Sequence, residues 1–112
     1  MEKIKILSQQ EINKELEDLP GWEQQDDKIV KQIEFKDFIS AINFVYQLAP
    51  SFERIEHHPD IHIFYNKILF ELQRFDIGGK ITNKDIEAAH EIEKNTVEWE
   101  VRERNMKKWK TK

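Results

Sequence analysis

The spacing of apolar positions switches repeatedly between a helical and a strand period, and each switch marks an element boundary. Ser8-Gln9-Gln10-Glu11 has the form of a capping box, and Ile12, Leu16 and Leu19 follow as a short apolar stripe. Leu19-Pro20-Gly21 ends that helix. Trp22 opens a short strand, Gln25 to Lys28 reads as a hairpin turn, and Ile29, Ile33 and Phe35 alternate with polar residues, with Lys31 breaking the alternation. From Lys36-Asp37 the period becomes helical: Phe38, Ile42, Val45, Ala49 and Phe52 form a stripe that Leu48 and Ile55 widen, with Pro50 expected to bend it. After Pro59 the period returns to two. Ile61, Ile63 and Tyr65 point one way and His62 and Phe64 the other, then Ile68, Phe70 and Leu72 alternate beyond a turn near Asn66-Lys67. Ile77-Gly78-Gly79-Lys80 reads as a loop. Thr82 caps a last helix with Asp85 at N3, on a face of Ile86, Ala89 and Glu93 or Ile92. Nothing between Lys94 and Asn105 breaks a helix, so this one is expected to run on toward Met106.

The order α-β-β-α-β-β-α predicts an α+β fold: a four-stranded antiparallel sheet with helices on one face, its other face open, and a long C-terminal helix. The 112 residues are enough for one domain spanning 1–112, of which 95–112 form a C-terminal extension.

Composition narrows the function. Hydrophobic residues make up 38% and charged residues 36%, so a lean core lies under a heavily charged surface. The net charge of −4 and pI near 5.6 argue against direct nucleic-acid binding and against an anionic membrane partner. No cysteine is present, which excludes disulfides and thiolate metal sites and fits a cytoplasmic setting, as does the lack of an apolar leader or span. Abundant Lys and Glu with little Gly hint at a thermophilic source.

The candidate chemistry sits at Glu53-Arg-Ile-Glu-His-His-Pro-Asp60, where a helical pattern gives way to a strand. Pro59 is expected to stop the helix and hold His58 extended, so that His57 and His58 diverge from a fixed corner. Histidine exchanges protons near neutral pH, with an unperturbed pKa of roughly 6.5. Two adjacent histidines at a helix end equally suit the macrodipole without binding anything. Glu53, one helical turn before His57, is expected to orient it by hydrogen bond. His57, His58, Asp60 and His62 alternate in direction and would not converge on one ion, so no metal site is expected. His90, on the last helix, reads as partly buried and structural.

Leu-Pro-Gly-Trp-Glu at 19–23, Phe-Lys-Asp-Phe at 35–38, His-His-Pro-Asp-Ile-His-Ile at 57–63, Tyr-Asn-Lys at 65–67, Asp76 to Gly79 and Thr82 to Asp85 occur together in one family. Over about residues 7–94 the chain resembles the pterin-4a-carbinolamine dehydratases, small α+β proteins of this element order. The resemblance implies a hydro-lyase that converts a 4a-hydroxytetrahydropterin to a quinonoid dihydropterin without a cofactor. It implies His57 and His58 as catalytic, with Pro59, Glu53, Phe75, Asp76 and Asp85 at the substrate. Asp85 reads equally as an N3 capping residue. The family's third active-site histidine falls on Phe75, which neither titrates nor hydrogen-bonds, so slow turnover is expected. The resemblance also implies a homodimer or homotetramer. Its alternative function is a degenerate scaffold for protein contacts: a vertebrate member assists dimerisation of a homeodomain transcription factor, and some bacterial members are linked to assembly of ribulose bisphosphate carboxylase. The extension, with Trp99, Met106 and Trp109, is a candidate docking surface for a protein partner or a segment that packs on its own domain.

Overall fold

The computed structural model describes residues 4–73, 79–99 and 101–104, without the side chains of 102–104. Helix α1 (Gln9–Leu16) begins with the expected reciprocal cap: Glu11 N–H donates to Ser8 Oγ at 3.1 Å, and Ser8 N–H to Glu11 Oε1 at 2.8 Å. Ile12 and Leu19 enter the core. The turn that follows needs a glycine, because Gly21 has φ +89° and a Cβ there would lie 2.9 Å from Lys31 Cε.

Strands β1 (Glu23–Gln25) and β2 (Lys28–Phe35) form a hairpin over Asp26, with Trp22 buried just before β1. Lys31 breaks the alternation in sequence but not in space. It points inward with Ile29 and Ile33 and is fully buried, its Nζ 2.6 Å from Glu93 Oε2 and 3.1 Å from the Pro20 carbonyl. The same Glu93 oxygen accepts from Trp22 Nε1 at 3.0 Å, so one carboxylate joins three segments. Both residues proposed for the inner face of the last helix therefore serve there: Ile92 packs in the core and Glu93 holds Lys31.

Helix α2 (Phe38–Arg54) starts at Asp37, whose Oδ1 accepts from Ser40 N–H at 2.9 Å, and runs unbroken through Pro50. Pro50 is exposed, as is Tyr46 one turn earlier, whose carbonyl loses its helical donor to the proline ring. The buried face is Ala41, Phe44, Leu48 and Phe52, extended by Ile55, so Leu48, Phe52 and Ile55 stand as expected and Val45 packs at the core's margin, whereas Phe38 and Ala49 do not enter it. Phe38 is 49% exposed and Ala49 is exposed. Two interleaved stripes both satisfy the helical period in this nearly all-apolar helix, so periodicity could not choose between them.

Strands β3 (Asp60–Phe64) and β4 (Lys67–Leu72) turn at Tyr65-Asn66 rather than Asn66-Lys67. Tyr65 takes φ +59° and leaves the strand. Asn66 makes that turn cohere by donating from Nδ2 to the Phe35 carbonyl at 2.8 Å, while its own carbonyl accepts from Phe35 N–H at 2.7 Å. The antiparallel order is β1-β2-β4-β3, with Ile33 opposite Ile68 and Ile68 opposite Ile63. The face bearing Ile29, Ile33, Ile68 and Phe70 packs under the helices. The opposite face is not bare at its centre, where Val30, Gln32 and Leu69 are buried.

Helix α3 (Asn83–Thr96) is anchored through the chain's beginning: Leu7 N–H donates to the Ile81 carbonyl, and Asn83 N–H to that of Lys5. The α-β-β-α-β-β-α order thus stands, but α3 stops at Thr96 instead of continuing toward Met106. A fifth strand, β5 (Val101–Arg104), follows and pairs antiparallel with β2. Trp99 sits between them, edge-on to Phe35 and Phe44 with ring centroids 5.9 and 5.6 Å away. Tertiary packing of that indole, together with the β-former Val101 in the strand itself, overrides a segment that merely lacks helix breakers.

Candidate active site

The corner between α2 and β3 is built by the backbone first. Ile55 caps the helix and Glu56 enters the left-handed region at φ +58°. Glu56 N–H then donates to the Glu53 carbonyl at 3.2 Å and His57 N–H to that of Phe52 at 3.0 Å, the paired bonds of a Schellman motif. This left-handed residue ends the helix; Pro59, three positions on, has the later task of keeping the chain extended into β3.

The reversal sends the two imidazoles in different directions. His57 turns inward and is 2% exposed, with Nε2 against Oδ1 of the fully buried Asp85. The other Asp85 oxygen accepts from Thr82 N–H at 2.8 Å and faces Thr82 Oγ1 at 3.3 Å. Asp85 thus caps α3 at N3, as one of its two readings expected, and its other oxygen meets the ring of His57, a contact that neither reading gave. His58 turns outward, its Nε2 2.7 Å from Glu53 Oε1, with both side chains exposed. Glu53 thus orients His58, not His57 as its helical spacing suggested. The spacing argument fails because the helix has already ended between the two residues. Pro59 is half-buried beside the pair. Phe75 and Asp76 lie outside the described residues.

The remaining histidines stand apart from this corner. His62 is on the face of the sheet away from the helices, 3.1 Å from Glu71 Oε1 and stacked on Phe64. Burial works against the Glu71 carboxylate, but hydrogen bonds from Lys28 and His62 outweigh it and hold its pKa below the ordinary carboxylate value. His90 is exposed rather than partly buried. Among the described residues no group of three His, Asp or Glu side chains is arranged to hold a metal ion, and no helix is long and apolar enough to cross a membrane.

The profile of the family Pterin 4 alpha carbinolamine dehydratase matches residues 5–95. The chain belongs to that family. Its members are hydro-lyases, and curated relatives of that name are similar to this chain over most of their length. One from Sulfolobus acidocaldarius is 35% identical over 79% of this chain and 96% of its own. Another, from Picosynechococcus, is 43% identical over 74% of this chain and 89% of its own. Among solved structures, a transcriptional coactivator/pterin dehydratase from Brucella melitensis superimposes with a TM-score of 0.76 at 30% identity, covering 81% of this chain and 98% of that one. The matched family segment stops at residue 95, before Trp99 and β5.

Proposed function

We propose that the chain is a 4a-hydroxytetrahydropterin dehydratase working through His57 and His58, in the cytoplasmic setting that its lack of cysteine suits. In this reaction the C4a–O bond breaks, the departing hydroxyl takes up a proton and leaves as water, and N5 gives up its proton as the N5=C4a bond forms. The step needs one proton donor and one acceptor. The observation that carries the reading is the pair of imidazoles at one corner, each held by its own carboxylate. In a neutral His57 ring, Nε2–H donates to Asp85 and leaves Nδ1 to accept a proton, which suits it to N5. His58, exposed beside Glu53, can be reloaded from water and suits the leaving hydroxyl. Glu53, Pro59, Asp76 and Asp85 complete the proposed substrate surroundings, with Phe75 where the family pattern has a histidine.

Losing one positioned acid or base group costs about 10²–10⁴ in rate. The expected enzyme is therefore slow, Phe75→His speeds dehydration, and His57→Ala or His58→Ala lowers it by about that factor. Stopped-flow loss of a 4a-hydroxytetrahydropterin measures this. An unchanged rate in His57→Ala would remove the role assignment, and inert wild type together with inert Phe75→His would favour the scaffold reading.

The expected homo-oligomer has its own support. Between Phe38 and Phe52 helix α2 carries no charged residue, although 36% of the chain is charged, and Phe38, Ile39 and Tyr46 are exposed along it. We propose that this face meets a second copy of the chain in a homodimer or homotetramer.

A further inference from the structure

β2 is flanked on its outer side by two different strands. β1 covers its first half, with Glu23 opposite Val30, and β5 covers the second, from Gln32 opposite Arg104 to Phe35 opposite Val101. Both backbone groups of Phe35 are taken by Asn66 on the inner side, its N–H donating to the Asn66 carbonyl and its own carbonyl accepting from Asn66 Nδ2. By antiparallel alternation, the outward backbone groups in this half are those of Gln32 and Glu34. Beside them Phe35 and Phe44, 4.9 Å apart, form an aromatic slot that the Trp99 ring fills, its Nε1 donating to Gln47 Oε1 at 3.2 Å.

The edge and slot come from residues within the matched family segment, whereas the strand and indole that occupy them come from beyond its end at residue 95. A relative aligns over 96% of its own length with 88 residues of this chain, about the length of that segment. The acceptor therefore lies in the part of the chain that the family model describes, and its occupant outside it.

We propose that the outer edge of β2 from Gln32 to Phe35, with the Phe35–Phe44 slot, is a strand-addition site for an extended peptide led by an aromatic residue, and that the chain's own Trp99 to Arg104 segment is its tethered ligand. Main-chain pairing supplies a sequence-tolerant grip, and the leading aromatic side chain supplies register and selectivity. A bare edge there would recruit other strands. Tethering by the few residues after α3 sets an effective concentration of ~1 mM or more, so a free peptide gains the site only when the tail is removed or weakened.

The test uses a fluorescently labelled peptide of residues 97–104 and three proteins: the intact chain, the chain truncated after Thr96, and the intact-length Trp99→Ala variant. Fluorescence anisotropy should show saturable binding to the truncated chain and to Trp99→Ala, with none to the intact chain at the same concentration. A peptide carrying the Trp99→Ala change should bind at least about tenfold more weakly. Hydrogen exchange should find the Gln32 and Glu34 amides protected in the intact chain, open in the truncated one, and protected again on adding peptide. Equal binding to intact and truncated chains, indifference to Trp99→Ala in the peptide, or no binding to Trp99→Ala protein would overturn the proposal. So would a truncated chain that protects those amides by pairing with itself, read by sedimentation, because the occupant would then be a second copy. Should the truncated chain fail to fold, the Trp99→Ala protein decides between these outcomes alone.

Discussion

Asp85 shows how much one side chain is asked to do in a small domain. One of its oxygens closes the first turn of α3 on Thr82, and the other fixes the ring of His57 from beneath. These duties separate under substitution. Asn keeps an oxygen that can still accept from Thr82 N–H, so the cap largely survives, at a cost of about 1 kcal/mol or less. Opposite His57, however, it presents either a neutral carbonyl or an amide donor, and the donor would select the tautomer with its hydrogen on Nδ1, the nitrogen assigned to accept the N5 proton. Asp85→Asn is therefore expected to lower kcat by about 10² or more with KM little changed. Chemical denaturation alongside steady-state kinetics separates the effects. A fall in stability with an unchanged kcat would leave Asp85 a cap and nothing more.

At the scale of the element, the decisive feature is where α2 ends. A non-glycine residue in the left-handed region costs about 1–2 kcal/mol, and Glu56 bears that cost in the Schellman turn that separates His57 from His58. Glu56→Gly relieves it while losing about 0.5–1 kcal/mol through the greater freedom of the unfolded chain. The net expectation is a gain of about 0.5 kcal/mol, seen as a higher urea midpoint with an unchanged slope; a loss of stability would mean that the Glu56 side chain holds the corner more than its backbone strains it. This turn also explains what the sequence could reveal. The caps at Ser8 and Thr82, the alternation through Ile29, Ile33 and Ile68, and the two histidines at a corner were all legible because they rest on local rules. The pairing of the carboxylates was not. Helical spacing assigned Glu53 to His57, but a helix that stops at Arg54 hands Glu53 to His58, and the partner of His57 arrives from residue 85, beyond any local rule. β5 escaped for the same reason, since only Phe35 and Phe44 in three dimensions give Trp99 somewhere to go. Lys31 and Glu93 each looked like a flaw in an apolar pattern, and the two flaws together were the available sign that they met.

For the whole molecule, α2 presents two apolar faces to two kinds of environment. The inner one, Ala41, Phe44, Leu48 and Phe52, is consumed by the sheet, and the outer one leaves Phe38 49%, Ile39 59% and Tyr46 81% exposed. Scattered apolar residues on a surface need no explanation, but a stripe without charge along one helix of a highly charged chain does. A second copy is the partner that such a stripe fits without further assumption: a two-fold axis sets like against like, and a neutral face meets no repulsion from itself. Sedimentation of the intact chain should therefore give a dimer or larger even-numbered assembly that dissociates in Ile39→Asp. The charge would be introduced twice in each symmetric contact and, being exposed in the monomer, should alter monomer stability by no more than about 0.5 kcal/mol. The control is a charge at Gln10, exposed on α1 and so off this helix, since Asn43 neighbours both Ile39 and Tyr46 on the same face. Gln10→Glu should leave the assembly intact, and dissociation by both variants alike would mean that net charge, not this face, governs association. Activity in the dissociated Ile39→Asp form then carries a separate message. The His57–Asp85 and His58–Glu53 pairs lie within one chain, so turnover per chain should survive dissociation if no neighbour completes the site.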